Sequence, residues 1–101
     1  MIKIEVNMEK TLKALGDPVR REILKLLKQG TMNVGQIARH FSISDATLSY
    51  HLGILKAAQL VVEERQGNFR YYTLHASVFE ELIAFLYQFY NKENPDENQK
   101  S

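Results

Sequence analysis

Apolar residues recur at helical spacing through the first half of the chain. Leu12 and Leu15 lie on one face of a short helix predicted over residues 8–15. Asp17 and Pro18 then begin a second helix, because an aspartate side chain accepts from an unpaired backbone N–H and proline tolerates the first helical position. The apolar stripe of this second helix consists of Val19, Ile23, Leu24, Leu26 and Leu27.

Two further short helices follow one another closely. Asn33 and Gln36 have the spacing of a capping box, which predicts the start of a third helix. Ser44 is a favourable N-cap for a fourth helix only a few residues later. Two helices joined by so short a connection predict a helix-turn-helix. The apolar positions of the fourth helix are Leu48, Leu52 and Leu55.

The second half of the chain predicts a hairpin and a last helix. Residues 60–64 and 69–74 are rich in β-branched and aromatic side chains, and residues 66–68 have turn composition. Ser77 and Glu80 suggest a capping box that opens the last helix. This helix is apolar around most of its circumference, more than one small domain can bury.

The order of these elements predicts a mainly α fold with a small β-hairpin wing, a winged helix-turn-helix with five helices. A length of 101 residues suffices for one compact domain. We expect residues 1–90 to form one DNA-binding and dimerisation domain and residues 91–101 to be a disordered polar tail. The first seven residues fit either a strand or an extension that a partner subunit orders.

Composition narrows the possible functions. The chain has no cysteine, which excludes disulfides, thiolate metal sites and thiol chemistry. A net charge of +1 does not by itself indicate nucleic-acid binding, so the positions of the basic residues must carry that argument. No apolar run approaches the roughly 18 residues that span a bilayer, and the first residues do not resemble a secretion signal. We therefore expect a cytoplasmic protein without membrane insertion.

Three motifs occur in an order that indicates a family. LGDPVRREIL at 15–24, SDATLSYHL at 44–52, and RQGN at 65–68 with YYTL at 71–74 resemble the ArsR/SmtB family of repressors. The resemblance covers roughly residues 8–90, and the cysteine-free pattern is most similar to the SdpR-type autorepressors. It implies a repressor that binds double-stranded operator DNA as a homodimer, often at its own promoter.

The fourth helix carries the candidate base-reading surface. At about 100° per residue, Ala46, Ser49, Tyr50 and Gly53 project away from the leucine stripe. Such a small, polar surface fits a major groove about 12 Å wide, and the resembled family contacts bases from the matching positions. The family often has an uncharged residue where this chain has Asp45. That carboxylate fits either the positive helix N-terminus or a cytosine amino group.

The hairpin supplies the remaining candidates. Arg65 and Arg70 flank a tip formed by Gln66 and Asn68, a placement suited to the DNA backbone or the minor groove. For Arg70 a solvated surface position is an equally good reading, and His51 lies near the core face, where a histidine is usually structural. The candidate DNA-binding residues are Ser44, Asp45, Ala46, Thr47, Ser49, Tyr50, His51, Arg65, Gln66, Asn68 and Arg70.

The apolar last helix predicts a two-fold interface, although the same residues could instead complete the monomer core. The candidate interface residues are Leu12, Leu15, Leu82, Leu86, Phe89 and Tyr90. A dimer of this kind would place two fourth helices roughly 34 Å apart and would require an inverted-repeat operator.

We expect no metal, no cofactor and no catalysis. His40, His51 and His75 lie on separate predicted elements, and no nucleophile-and-base motif, phosphate-binding loop or paired-acid motif is present. The acidic pairs are interpreted as solvated charge; they are Glu63 with Glu64 and Glu80 with Glu81. A metal-responsive repressor of the same family and a winged-helix protein-interaction module remain as alternatives. Repression could be relieved by a protein partner that sequesters the dimer, by an apolar ligand at its interface or by concentration alone.

Overall fold

A computed structural model of the protein describes residues 5–90 and contains five helices and a three-stranded antiparallel sheet. The mainly α winged helix-turn-helix predicted from the sequence is confirmed. The predicted polar tail at 91–101 and most of the ambiguous N-terminal segment lie outside the described residues. The elements are α1 (Met8–Ala14), α2 (Pro18–Leu27), β1 (Met32–Asn33), α3 (Val34–Ala38), α4 (Asp45–Ala57), β2 (Val61–Gln66), β3 (Phe69–Leu74) and α5 (Ala76–Tyr90).

Side-chain caps fix the starts of the helices, and three of the predicted caps are confirmed. Asp17 Oδ2 accepts from the backbone N–H of Val19 at 3.0 Å at the start of α2. Asn33 and Gln36 form both hydrogen bonds of the capping box of α3. Ser44 Oγ accepts from the backbone N–H of Thr47 at 3.1 Å at the start of α4. Each such cap stabilises its helix by about 1 kcal/mol.

The capping box predicted at Ser77 and Glu80 is wrong. Helix α5 already begins at Ala76, so Ser77 lies inside its first turn. The backbone N–H of Val78 donates to the carbonyl of His75 at 3.0 Å. Leu60 fixes this start, because its carbonyl accepts from the backbone N–H of His75 at 3.0 Å.

The sheet differs from the predicted hairpin in two respects. Strand β2 extends to Gln66, which pairs with Phe69, so the turn contains only Gly67 and Asn68. Gly67 has φ +62°, at the first position of a two-residue loop, where a type II′ turn requires positive φ. The sequence analysis also missed β1, which pairs with β3 and gives the order β1-β3-β2. Two residues are too few for strand alternation to be visible in the sequence.

The core lies between α4 and the elements around it, and α4 contacts α1, α2 and β2. Burial of a leucine side chain contributes about 1.5–3 kcal/mol, so the leucine stripe of α4 fixes its rotation and leaves its opposite face in solvent. The largest fully buried side chains are Ile23, Ile37, Leu48, Leu52, Leu55, Leu60, Val78 and Thr11. Among the helices that the structure describes, none is long and apolar enough to cross a membrane.

Candidate nucleic-acid interface

Helix α4 presents a face of small and polar residues to solvent. Ala46, Ser49 and Gly53 are exposed along this face, and Tyr50 stands beside them with 63% of its surface exposed. The leucine stripe on the opposite side of α4 is buried. The exposed side chains are short apart from Tyr50, so the helix backbone itself can approach a ligand surface closely. We call this surface the α4 face.

Two hydrogen bonds between Ser44 and Thr47 stabilise the first turn of α4. Ser44 Oγ accepts from the backbone N–H of Thr47 and donates to Thr47 Oγ1 at 2.9 Å. Asp45 is exposed in this first turn, where the helix dipole favours a carboxylate. Ser44 therefore acts as a cap in the unbound protein, and both of its hydrogen-bonding roles are directed at Thr47.

The structure places His51 in the interior, apart from the exposed candidates on α4. Only 8% of its surface is exposed. Arg20 Nη1 lies 3.1 Å from Nδ1 of His51 and, because a guanidinium only donates, Nδ1 accepts. Arg20 Nε also donates to the carbonyl of Ala14 at 2.7 Å, and Asp17 Oδ2 lies 3.7 Å from the same ring nitrogen of His51. His51 thus ties α4 to the junction of α1 and α2, and its position supports a structural role.

The β2–β3 hairpin, here called the wing, carries two arginines with different surroundings. Arg65 and Arg70 are directly opposite one another across the strands. Arg65 is exposed, and no ion pair among residues 5–90 involves it. Gln66 and Asn68 are exposed beside it at the tip. Arg70 is less exposed and its Nη1 donates to Glu63 Oε2 at 3.3 Å, so in the unbound protein it is already paired.

The carboxylate of Glu63 accepts hydrogen bonds from three side chains, one on α4 and two on β3. Lys56 donates to Oε1, while the Tyr72 hydroxyl donates to Oε2 at 3.0 Å, the oxygen that also accepts from Arg70. The side chain of Glu63 is only 16% exposed. The hydrogen bond from Lys56, joined by that from Tyr72, holds the pKa of Glu63 below its usual range against the opposing effect of desolvation. Burial of the Tyr72 hydroxyl raises the pKa of Tyr72 above its usual range, and the hydrogen bond to the Glu63 carboxylate raises it further. We call these four residues the Glu63 cluster.

Comparison with known proteins now identifies the family. A model of the family described as "Bacterial regulatory protein, arsR family" matches residues 17–62, from the cap of α2 into β2. The transcriptional repressor SdpR of Bacillus subtilis (strain 168) is 45% identical over 89 residues, which cover 88% of this chain and 99% of that protein. The chain belongs to the ArsR family.

Solved structures agree with this assignment. A protein described as a possible transcriptional regulator for arsenical resistance is 34% identical, with a TM-score of 0.74, covering 83% of this chain and 88% of that one. The homodimeric winged helix-turn-helix DNA-binding domain of a possible ArsR-family transcriptional regulator from Mycobacterium bovis is 29% identical. Its TM-score is 0.67, and the match covers 93% of this chain and 86% of that domain.

As a member of the ArsR family, the chain is a winged helix-turn-helix transcriptional regulator that binds DNA, and it is not an enzyme. Both statements agree with the predictions from the sequence. The family model spans α2, α3 and α4, the elements that position the α4 face. Within residues 5–90, no group of three His, Asp or Glu side chains is arranged to hold a metal ion.

The predicted interface residues differ in exposure, and Leu15 is half-buried against the core. Leu12, Leu86, Phe89 and Tyr90 are exposed in the single chain. Leu82 is only 6% exposed because it completes the monomer core, so it has little surface left for a partner.

Other parts of these surfaces were missed by the sequence analysis. Ile83 is 66% exposed and Tyr87 is also exposed, and with Leu86 and Tyr90 they follow the i, i+3, i+4, i+7 spacing of one helix face. We call these four residues the α5 face.

On the wing side, Glu63 was read only as solvated charge, and nothing in the local sequence indicates its pairing with Lys56. The available signal was strand alternation, which puts Glu63 on the same side as the buried Val61.

Proposed function

We propose that the chain is a sequence-specific repressor that binds a palindromic operator as a homodimer, represses its own promoter and does not respond to metal. The observation that carries this proposal is the α4 face, which is exposed, nearly free of long side chains and held in place by a buried leucine stripe. A rigid helix with such a face fits the major groove, where base edges present a distinct pattern for each pair. Ala46, Ser49 and Tyr50 are the proposed base contacts, with Asp45 and Thr47 beside them at the helix start.

The wing is proposed to contact the DNA backbone. Arg65 is exposed and has no ion-pair partner among residues 5–90, so it can meet a phosphate without first breaking another interaction. Gln66 and Asn68 at the tip can donate to phosphate or sugar oxygens. Arg70 would have to leave Glu63 before it could do the same.

Dimerisation supports the proposed symmetry of the operator. The α5 face is apolar and exposed, and a single small domain cannot cover it. The M. bovis domain with the same fold is described as homodimeric. Two copies related by a two-fold axis would place the two α4 helices about 34 Å apart, which predicts half-sites about one helical turn apart or a multiple of it.

The regulatory part of the proposal rests on the family. SdpR, which matches nearly the whole of this chain, is described as a transcriptional repressor. The lack of cysteine removes the thiolate ligands that a soft metal would need. Relief of repression would then come from another source, either a protein partner that sequesters the dimer, an apolar ligand at its interface or a change in concentration alone.

An anisotropy titration with two variants tests the division of roles. The probes are an inverted-repeat duplex, recovered by selection from random DNA with the purified protein, and a scrambled duplex of the same length. Tyr50→Ala should weaken binding to the inverted repeat about tenfold to a hundredfold and change binding to the scrambled duplex little. Arg65→Ala should weaken both alike and lower the salt slope by about 0.9 per protomer.

Each variant serves as the control for the other, because both residues are exposed and neither supports the core. Adding zinc or a chelator should leave the binding of the wild-type protein unchanged. Release of the inverted repeat by zinc would favour the metal-responsive alternative. Equal effects of Tyr50→Ala on both duplexes would contradict base reading by the α4 face.

A further inference from the structure

The Glu63 cluster joins α4 to both strands of the wing. Glu63 and Tyr72 are directly opposite in the sheet, Arg70 lies one diagonal step away, and Lys56 belongs to the last turn of α4. The carboxylate of Glu63 is thus bonded to the helix through one oxygen and to β3 through the other. Because its side chain is only 16% exposed, water competes weakly for these hydrogen bonds.

Both cations of the cluster lie at the border of the proposed DNA surface. Lys56 follows Ser49 by seven residues, two helical turns, and so lies on the same side of α4. Arg70 is paired across the strands with Arg65, the proposed phosphate contact. Without Glu63, this border would carry Lys56, Arg65 and Arg70 as three free positive charges.

Free cations at such a border strengthen binding to any DNA. Each phosphate that a lysine or arginine neutralises adds about 0.9 to the salt slope and adds affinity that does not depend on sequence. A cation held by a carboxylate contributes this affinity only after the ion pair opens. Holding Lys56 and Arg70 therefore lowers the affinity of the protein for any DNA and makes that affinity less dependent on salt.

We propose that Glu63 sets the sequence-independent DNA affinity of the interface and its salt dependence, because it pairs with Lys56 and Arg70 and withholds both cations from DNA phosphates. This inference rests on the proposed DNA-reading function of the α4 face. In the resulting interface, Arg65 is the main phosphate contact of the wing. Glu63 itself touches no base, and it acts through the two cations that it holds.

Glu63→Gln tests the proposal, with Glu64→Gln as the matched control. Glu64 is the next residue of β2, it is exposed, it points to the other side of the sheet, and it forms no ion pair among residues 5–90. Both substitutions raise the net charge by one. Only Glu63→Gln removes the carboxylate that pairs with Lys56 and Arg70.

The measurement is the affinity of each variant for the inverted-repeat and the scrambled duplex across a series of salt concentrations. Glu63→Gln should bind the inverted-repeat and the scrambled duplex more tightly by a similar factor, with a salt slope steeper by up to about 1.8 per protomer. Glu64→Gln should keep the affinities and the salt slope of the wild type. Adding Lys56→Gln and Arg70→Gln to the Glu63→Gln variant should restore the slope of the wild type.

Three results separate the possible failures. If Glu63→Gln and Glu64→Gln have the same slope and the same affinities, Glu63 does not withhold Lys56 and Arg70 from DNA. If Glu63→Gln binds both duplexes more weakly without a steeper slope, Glu63 only supports the fold of the wing and the proposal is overturned. If the wild-type protein binds neither duplex, the proposed function fails together with this inference.

Discussion

At the scale of single residues, the surroundings of Arg65 and Arg70 show how the wing tolerates two facing arginines. Like charges directly opposite one another destabilise a strand pair. Glu63 lies diagonally from Arg70 and accepts its hydrogen bond, which offsets that repulsion while leaving Arg65 in solvent. The same carboxylate fixes Lys56 at the end of α4.

The lowered pKa of Glu63 predicts an acid-dependent loss of stability. Its folded pKa lies below the ordinary value of 4.5, so the stabilisation is present above about pH 4.5 and is lost as the pH falls through the folded value. Glu63→Gln should lower the free energy of unfolding by about 1 kcal/mol at neutral pH, the upper range for partly exposed ion pairs.

Urea denaturation at neutral pH and at an acid pH below the folded pKa of Glu63 measures this difference. Glu63→Gln and the wild-type protein should differ at neutral pH and converge in acid, because the wild-type carboxyl becomes protonated as the pH falls through that pKa. Glu64→Gln should match the wild-type protein at both values. A difference between Glu63→Gln and the wild type that persisted unchanged in acid would mean that the ionised carboxylate is not the source of the stability.

Contacts between residues that are close in the sequence can be predicted from it, whereas contacts between residues far apart in the sequence cannot. The caps at Asp17, Asn33 and Ser44 follow from partners two or three residues away, so the sequence pattern contains both members. His51 and Arg20 are separated by 31 positions and meet only because α2 packs on α4. The partners of Glu63 likewise come from two other elements, which explains why it was read as solvated charge.

At the scale of elements, neither packing within the chain nor backbone conformation requires a glycine at position 53, in the middle of α4. A Cβ built at this position meets nothing within 4 Å, and its φ is not positive. Glycine inside a helix costs about 0.5–1 kcal/mol relative to alanine. Because Gly53 lies on the α4 face, we propose that close approach of the helix backbone to DNA accounts for the glycine.

Gly53→Ala should therefore separate stability from binding. We expect the free energy of unfolding to rise by about 0.5–1 kcal/mol and the affinity for the inverted repeat to fall, because the added methyl group meets the groove. Thermal unfolding and anisotropy measured on the same sample test both halves. Higher stability with unchanged affinity would show that Gly53 does not face the DNA closely.

The end of α4 predicts a second stabilising substitution. Gln59 has φ +63° and follows the last residues of α4, where the backbone N–H of Leu60 donates to the carbonyl of Leu55 and that of Gln59 to the carbonyl of Lys56. This is the Schellman pattern, whose left-handed position favours glycine. Gln59→Gly should raise the free energy of unfolding by about 0.5–1 kcal/mol, whereas Gln59→Ala, which keeps the strained φ, should not. Urea denaturation distinguishes the two.

Elements with their own periodicity were predictable, and elements defined by pairing were not. The leucine spacing of α4 and the aromatic run of β3 indicate their type and approximate bounds. Strand β1 exists only because Met32 and Asn33 pair with β3. The start of α5 was misplaced because a bond between His75 and Leu60 fixes it, rather than the local Ser77 pattern.

At the scale of the whole molecule, the α5 face predicts self-association. The sequence shows more apolar surface on the last helix than one domain can bury, but it does not show the rotation of the helix about its axis. That rotation puts Leu82 into the core and leaves Ile83 in solvent. The sequence therefore predicted an exposed apolar surface on the last helix and only part of its residues.

Ile83→Glu should convert a dimer into a monomer, because it places a charge on the α5 face. Val62→Glu is the matched control, since Val62 is another exposed β-branched residue, on β2. Sedimentation equilibrium should show a dimer for the wild-type protein and for Val62→Glu, and a dimer dissociation constant raised about a hundredfold or more for Ile83→Glu. A wild-type protein that remains monomeric, or an Ile83→Glu variant that remains dimeric, would contradict this interface.

Selection from random duplex DNA with the purified wild-type protein tests the reading of DNA by a symmetric pair of α4 helices most directly. We expect an inverted repeat with half-sites about 10 base pairs apart or a multiple of that spacing, preferred over scrambled sequence at every salt concentration. If no motif is enriched, and the binding that remains is weak and disappears with added salt, the isolated protein does not read sequence and the proposed repressor mechanism is wrong.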